Sequence, residues 1–288
     1  MKIEVDDLVM RYGATTALDR LSLNLEGGKI YGLLGRNGSG KTTLLSVLAA
    51  FRRPTGGRVR IDGQPVFENA RLTERISLIR DGGATVELGS AQEAVGFAEW
   101  LRPGFDGRYA RSLMALFGLD PKKSVSGMSK GQRAALGVVM GLASRAPLTM
   151  FDEAYLGMDA PSRYAFYDAL LSDYLANPRT IILSTHHIEE VASLFEEVVI
   201  IDKGRLVVHE ESTRLLSRGT AVTGPAAQVE AFTTGLTVLN SRRLGPTTAA
   251  TIYGDLDEAR LAQAAAAGLE LGPIPMQDLF VHLTGERR

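Results

Sequence analysis

Apolar and polar residues alternate at the start of the chain. Ile3 and Val5 are separated by charge, and Leu21, Leu23 and Leu25 recur two apart beyond a Tyr12-Gly13 turn. A period of two puts such residues on one face of a strand, so residues 1–25 read as strand, turn, strand in an antiparallel layer. Residues 29–34 (KIYGLL) form a short apolar strand, followed by a glycine-rich turn and a predicted helix over 42–51 with Leu44, Leu45, Val47 and Leu48 in its buried stripe. Pro54-Thr-Gly-Gly ends it. From 90 to 141 the spacing turns helical. Tyr109, Leu113, Leu116 and Phe117 fall at i, i+4, i+7 and i+8 and are expected to share one buried face. Short apolar runs at 148–151, 180–184 and 197–201 then alternate with helix-like stretches, the pattern of a parallel sheet with helices packed on it.

Around 213–219 the character shifts again. The remaining pieces read as strand (220–222), helix (226–232), strands (236–239 and 249–253), helix (257–267), strand (269–271) and helix (276–283). That order, βαββαβα, predicts a small split βαβ sheet layer. A boundary is expected near Ser217, giving a main domain over 1–216 with a helical part at about 90–141, and an accessory module over 217–288. No repeat of 20 to 50 residues is evident, so the main domain is single.

A length of 288 residues suits two modules at most, and 45% hydrophobic with 23% charged residues is the composition of a packed globular chain. A formal net charge of -1 gives no bulk field toward nucleic acid or an anionic membrane. With no cysteine, disulfides, thiolate metal sites and a cysteine nucleophile are excluded. The charged amino terminus lacks the apolar stretch of a secretory signal, and no run approaches the roughly 20 apolar residues that cross a bilayer. A cytoplasmic protein is expected, and any transport role needs a membrane partner.

Gly35-Arg36-Asn37-Gly38-Ser39-Gly40-Lys41-Thr42 matches G-x-x-x-x-G-K-[ST] between a predicted strand and a predicted helix. Glycines let backbone N–H groups turn inward on phosphates, and the helix start adds the positive end of its dipole. Lys41 supplies charge to the β and γ phosphates of ATP and Thr42 a hydroxyl ligand to Mg²⁺, with Thr43 completing the predicted site. Such a loop alone fits a kinase, a GTPase or a motor equally. Residues 148–153 add a buried strand ending in two carboxylates. Neighbouring side chains of a strand point oppositely, so Asp152 and Glu153 divide the work. Asp152 suits the Mg²⁺ shell, and Glu153 suits polarising the attacking water.

With these motifs in place, residues 2 to about 214 resemble the ABC ATPase family. Met128-Ser129-Lys130-Gly131-Gln132 resembles its signature, usually Leu-Ser-Gly-Gly-Gln, with Gln132 lying 20 residues before Asp152. Leu156-Gly157-Met158-Asp159 resembles the D-loop, Ser184-Thr185-His186 the switch-histidine segment, and Tyr12 the aromatic that stacks on adenine. Taken singly, Tyr12 reads as a core aromatic, Ser129 as a helix cap and His186 as a strand-end histidine; the joint order favours the family roles. His187 is the weaker histidine.

The resemblance implies an α/β P-loop NTPase cassette with a mixed sheet core, an antiparallel β layer, a helical subdomain and here a small C-terminal α+β module. It implies two cassettes meeting head to tail, with Ser129, Lys130, Gly131, Gln132 and Asp159 serving the partner's ATP and His186 holding the γ phosphate and water. A separate transmembrane permease would hold the chain at the inner face of the membrane. The stretch from Trp100 to Gly131 resembles bacterial drug-efflux and peptide-antibiotic-immunity cassettes, so export is the expected direction. The alternative is a soluble ABC ATPase working mechanically on a non-membrane partner. The chain lacks the second cassette, the coiled coils and the basic arm of such proteins, and no nucleic-acid partner is expected.

Two departures stand out. Lys130 replaces the first glycine of the signature, and Asp81 stands where the Q-loop glutamine is usual. Asp81 either binds Mg²⁺, directly or through water, and links the site to the permease through 82–90, or is only the first residue of an Asp-Gly turn. In the last segment basic residues do not outnumber acidic ones, and Asp257-Glu258 sits at a predicted helix start where acids favour the dipole. A regulatory or dimer-stabilising module is expected there, beside the plainer reading of a structural appendage.

Overall fold

The computed structural model describes residues 1–82 and 89–285. The chain forms two compact units, Met1–Val208 and His209–Arg288. The first begins with β1 (Ile3–Tyr12) and β2 (Thr15–Leu25), then β3 (Ile30–Leu34), α1 (Lys41–Leu48), β4 (Gly56–Ile61), β5 (Gln64–Pro65), α2 (Ala70–Thr73) and β6 (Ile76–Arg80). The helical part follows as α3 (Ala91–Leu101), α4 (Gly107–Leu116) and α5 (Lys130–Ala143). Then come β7 (Leu148–Asp152), α6 (Ala160–Ala176), β8 (Thr180–Thr185), α7 (Ile188–Val191), β9 (Glu197–Asp202) and β10 (Arg205–Glu211).

Two sheets organise this unit, an antiparallel layer ordered β2-β1-β4-β5 and a six-stranded sheet ordered β10-β9-β3-β8-β7-β6. Every residue of β3, β7 and β8 is buried. Central strands covered on both faces read as continuous apolar runs rather than alternating ones. The expected alternation does appear in the antiparallel layer. There Ile3, Val5, Leu21, Leu23 and Leu25 pack with Leu44, Leu45 and Leu48 of α1 and Met150 and Ile182 of the large sheet into one core. All four pairings β3/β8, β3/β9, β6/β7 and β7/β8 are parallel. Their carboxyl ends therefore open on one side, where α/β sheets place ligands.

The face expected of α4 is displaced. Ala110, Leu113 and Met114 are buried, whereas Leu116 is 55% exposed. Tyr109 is half-buried, with the Arg145 guanidinium 4.5 Å from its ring centroid.

The second unit carries α8 (Ser212–Ser217), β11 (Gly219–Pro225), α9 (Ala226–Thr233), β12 (Thr237–Leu244), β13 (Thr247–Tyr253), α10 (Glu258–Ala266), β14 (Glu270–Pro273) and α11 (Met276–Thr284). From β11 onward this is the expected βαββαβα order. Its sheet is ordered β12-β13-β11-β14 with antiparallel pairings throughout, the split βαβ arrangement. Val222, Val229, Phe232, Ala250, Ile252, Ala264 and Leu269 form a core of its own. Ser217, near which the boundary was expected, is the last residue of α8. Asp257 caps α10, accepting from the Arg260 amide at 2.8 Å.

Candidate active site

β3 delivers the chain to the phosphate loop. Gly40 precedes α1 at φ 109°, where a Cβ would stand 2.7 Å from the Ala17 carbonyl, so only glycine closes this turn. Lys41 is 5% exposed and folds back over the loop. Its ammonium donates to the carbonyls of Gly35 at 2.6 Å and Arg36 at 3.3 Å, and lies 3.9 Å from Oε1 of Glu153. Burial pushes the Lys41 pKa below the usual lysine range, with Glu153 and Asp152 pulling the other way. A cleft of about 420 Å³ is lined by Asn37–Thr43 together with Tyr12, Ala17 and Glu153. Tyr12 is 44% exposed at the end of β1, and Thr42 is exposed on the cleft side of α1. Gly35 and Arg36 are not lining residues and act through their carbonyls.

The two carboxylates sit differently, although strand alternation is not the cause: β7 ends at Asp152, and Glu153 follows it on a left-handed backbone. Asp152 is buried, in register with Arg80 of β6 and Ser184 of β8. Its Oδ1 has no hydrogen-bond partner among the described residues, and neither do the buried Ser39 and Ser184 hydroxyls. Leaving a buried charged acceptor unsatisfied costs at least about 1–3 kcal/mol, which a cation or its water would recover. Glu153 has a left-handed backbone, φ 49°, held by its amide donating to the Ser184 carbonyl at 3.1 Å. For a side-chain-bearing residue that conformation is strained, and it aims the carboxylate back toward Lys41.

His186 follows β8 and stands with Nδ1 3.3 Å from Glu153 Oε1. Two contacts absent from the sequence reading fix it: Tyr155 and Thr185 share a hydroxyl hydrogen bond of 2.6 Å, and the His186 amide donates to the Tyr155 oxygen at 3.4 Å. His187 instead packs edge-on against Tyr155, 5.6 Å between ring centroids. Desolvation, then the neighbouring His186, depresses its pKa. Behind it Arg163 holds Glu190 in a two-pronged pair at 2.7 and 2.9 Å. Nothing in the spacing of Tyr155 marks it as a positioning residue.

The signature segment lies apart. Ser129 caps α5, accepting from the Gln132 amide at 3.2 Å while Gln132 Oε1 accepts from the Ser129 amide at 3.1 Å. Ser129 and Lys130 are exposed, and none of Ser129, Lys130, Gly131, Gln132 or Asp159 lines the phosphate cleft. Gly131 is pinned from behind, since a Cβ there would stand 2.5 Å from the Gly157 carbonyl. Asp159 caps α6, accepting from the Ser162 amide at 2.9 Å, and hydrogen bonds from Ser162 hold its pKa below the usual carboxylate range. Asp81 follows β6, and its oxygens lie 3.0 and 3.2 Å from the Lys130 ammonium. Most of the loop expected to run from it, residues 83–88, lies outside the described residues.

Among the described residues no three histidine, aspartate or glutamate side chains gather as a metal site. Mg²⁺ needs no such cage. It is held by one or two carboxylates or hydroxyls with the substrate phosphates, and unsatisfied Asp152 with exposed Thr42 fits that demand.

A phosphate loop after the parallel strand β3, with a buried aspartate at the end of β7 and a strained glutamate just beyond it, β8 lying between the two strands, defines a P-loop nucleotide hydrolase. The family model described as ABC transporter matches residues 18–156. The daunorubicin resistance ATP-binding protein DrrA3 of Streptomyces coeruleorubidus is 31% identical over 99% of this chain and 96% of its own length. The methionine import ATP-binding protein MetN of Rhizobium etli is 33% identical over 71% of this chain and 60% of its own length. A dimeric ATP-binding cassette in a post-hydrolysis state with ADP and phosphate shares the fold, at TM-score 0.64, 19% identity and coverage of 73% and 98%. The chain belongs to the ABC transporter ATP-binding proteins, the ATP-hydrolysing subunits of these transporters. Among the described residues no helix is long and apolar enough to cross a membrane.

Proposed function

We propose that this cassette closes head to tail with a second one over two Mg²⁺-ATP molecules, and that closure and reopening drive a separate membrane permease in the export direction. The observation that carries this reading is the placement of the signature. Ser129, Lys130 and Gly131 stand at an exposed helix start outside the chain's own phosphate cleft, so the ATP they serve is another cassette's. In the chain's own cleft, residues 37–43 hold the phosphates, Gly35 and Arg36 hold the Lys41 ammonium, and Tyr12 stacks on the base. Thr42 and Asp152 hold Mg²⁺, with Asp81 joining them directly or through water. Glu153 orients and deprotonates the attacking water, and His186 holds the γ phosphate beside it. When bound, Mg²⁺ would supply positive charge to the phosphate oxygens.

Export is supported by the full-length likeness to a drug-resistance protein, which includes the second unit, whereas the import protein matches over 71% of the chain. For the permease, an apolar groove of about 300 Å³ between α1, β6, α3 and α5 is lined by Phe51, Leu78, Ala94, Ala98, Arg102 and Phe105. Phe97 and Trp100 are exposed on α3. A helix from the membrane partner fits this surface. The second unit is proposed to stabilise or regulate the cassette pair.

Glu153→Gln tests the sandwich, because the amide keeps the shape and loses the base. Sedimentation should show the variant dimeric in Mg²⁺-ATP and monomeric without it. A variant that stays monomeric with ATP bound would overturn the sandwich.

A further inference from the structure

The two departures from the family pattern are the two ends of one ion pair. Lys130 opens α5, whose first turn holds no acidic residue, so its cation sits at the positive end of the helix dipole. Asp81 supplies the missing anion from the end of β6 at 3.0 Å. The stem of Lys130 lies against the D-loop backbone: a Cβ on Gly157, at φ 93°, would come within 2.9 Å of its Cγ. On the other side Asp81 is tied to the phosphate-binding helix. Its neighbour Arg80 donates to the Ser46 hydroxyl of α1 at 2.8 Å and lies over the Phe51 ring at 5.0 Å. A continuous set of contacts thus runs from α1 through Ser46, Arg80, Asp81 and Lys130 to the signature and D-loop.

We propose that Asp81 and Lys130 are a positioning latch that makes the signature end of α5 answer to the nucleotide bound at the chain's own phosphate loop. Both side chains are about half exposed, 44% and 53%. A pair so open to water attracts weakly and is easily broken, which suits a switch better than a brace. Resting on the sandwich reading, Asp152 with Thr42 would hold Mg²⁺, and Asp81, one residue beyond the strand position in register with Asp152, would turn toward that cation at the expense of Lys130. Drawing Asp81 inward releases Lys130 and frees the helix start that meets the second ATP. Each site then reports its occupancy to the other within one chain.

Hydrogen–deuterium exchange on the full nucleotide-free chain tests the latch. Asp81→Asn and Lys130→Met should each speed exchange across residues 130–136 by about two- to fivefold, and the double variant no further. Unchanged exchange in both single variants overturns the latch. In the Glu153→Gln background, the ATP concentration for half-maximal dimerisation should show the same non-additivity between the two substitutions. Independent effects would mean that Asp81 acts only at the metal, and the relay falls. If that background never dimerises, the sandwich and the relay fall together, while the exchange result still decides whether the pair orders α5.

Discussion

Nδ1 of His186 lies 3.3 Å from Oε1 of Glu153, although the two residues follow different strands. The glutamate reaches this point through a strained backbone, the histidine through the Tyr155–Thr185 hydrogen bond. The same Glu153 oxygen also lies 3.9 Å from the Lys41 ammonium, so one carboxylate touches both the phosphate loop and the histidine.

Neutralising the glutamate or loosening the histidine's anchor should therefore cost turnover with little loss of nucleotide affinity. Glu153→Gln should lower kcat by about 10²- to 10⁴-fold. Tyr155→Phe should reduce kcat about threefold to tenfold, the worth of one neutral hydrogen bond, because His186 loses its anchor. Steady-state hydrolysis and ATP titration of each variant separate the two effects, and a fall confined to affinity would contradict the assignment.

Lys41 makes ATP binding dependent on pH. In the free chain burial depresses its pKa, and phosphates arriving at the ammonium raise it. Because the bound form holds the proton more tightly, affinity should fall as pH rises through the depressed free value, with proton uptake on binding between the free and bound values. Calorimetry in buffers of different ionisation enthalpy measures this uptake, which Lys41→Met should abolish. That variant should also bind ATP about 10- to 100-fold more weakly, from the loss of charge-assisted hydrogen bonds.

Gly131→Ala should damage hydrolysis without touching the chain's own phosphate loop. Its methyl group would press on the Gly157 carbonyl, and overpacking of this kind costs about 1–3 kcal/mol. The expected outcome is normal binding of a fluorescent ATP analogue with loss of ATP-driven dimerisation.

Ending the chain after Ser217 should leave ATP affinity near that of the full chain, because the phosphate cleft is lined entirely from the first unit. Dimer stability or the hydrolysis rate should change. A shortened chain that no longer binds ATP would show that the cassette needs residues beyond Ser217.

Much of this was legible in the sequence because its signals are local. The run over 148–151 and the glycine-rich turn before Lys41 each announce a strand end or helix start through near neighbours, and the βαββαβα order follows from short apolar pieces between turns. The missed features are those in which distant residues meet. Asp81 and Lys130 are 49 positions apart, and Tyr155 and Thr185 are 30 apart. No period in the chain points from one to the other. The face of α4 was misread for another reason: small Ala110 is fully buried there while Leu116 is exposed, and a pattern weighted to large apolar residues does not register alanine.

In β8, Ser184 is in register with Asp152 and Thr185 with Leu34, so the histidine that follows is aimed by counting residues along a buried strand. Losing or gaining one residue within Thr180–Thr185 would reverse every side chain beyond it. Two would keep the parity but carry the imidazole about 6.6 Å along the strand. The strand behaves like a reading frame for chemistry. Its composition can drift among apolar residues, whereas its length cannot, and insertions are tolerable only in the connections outside it.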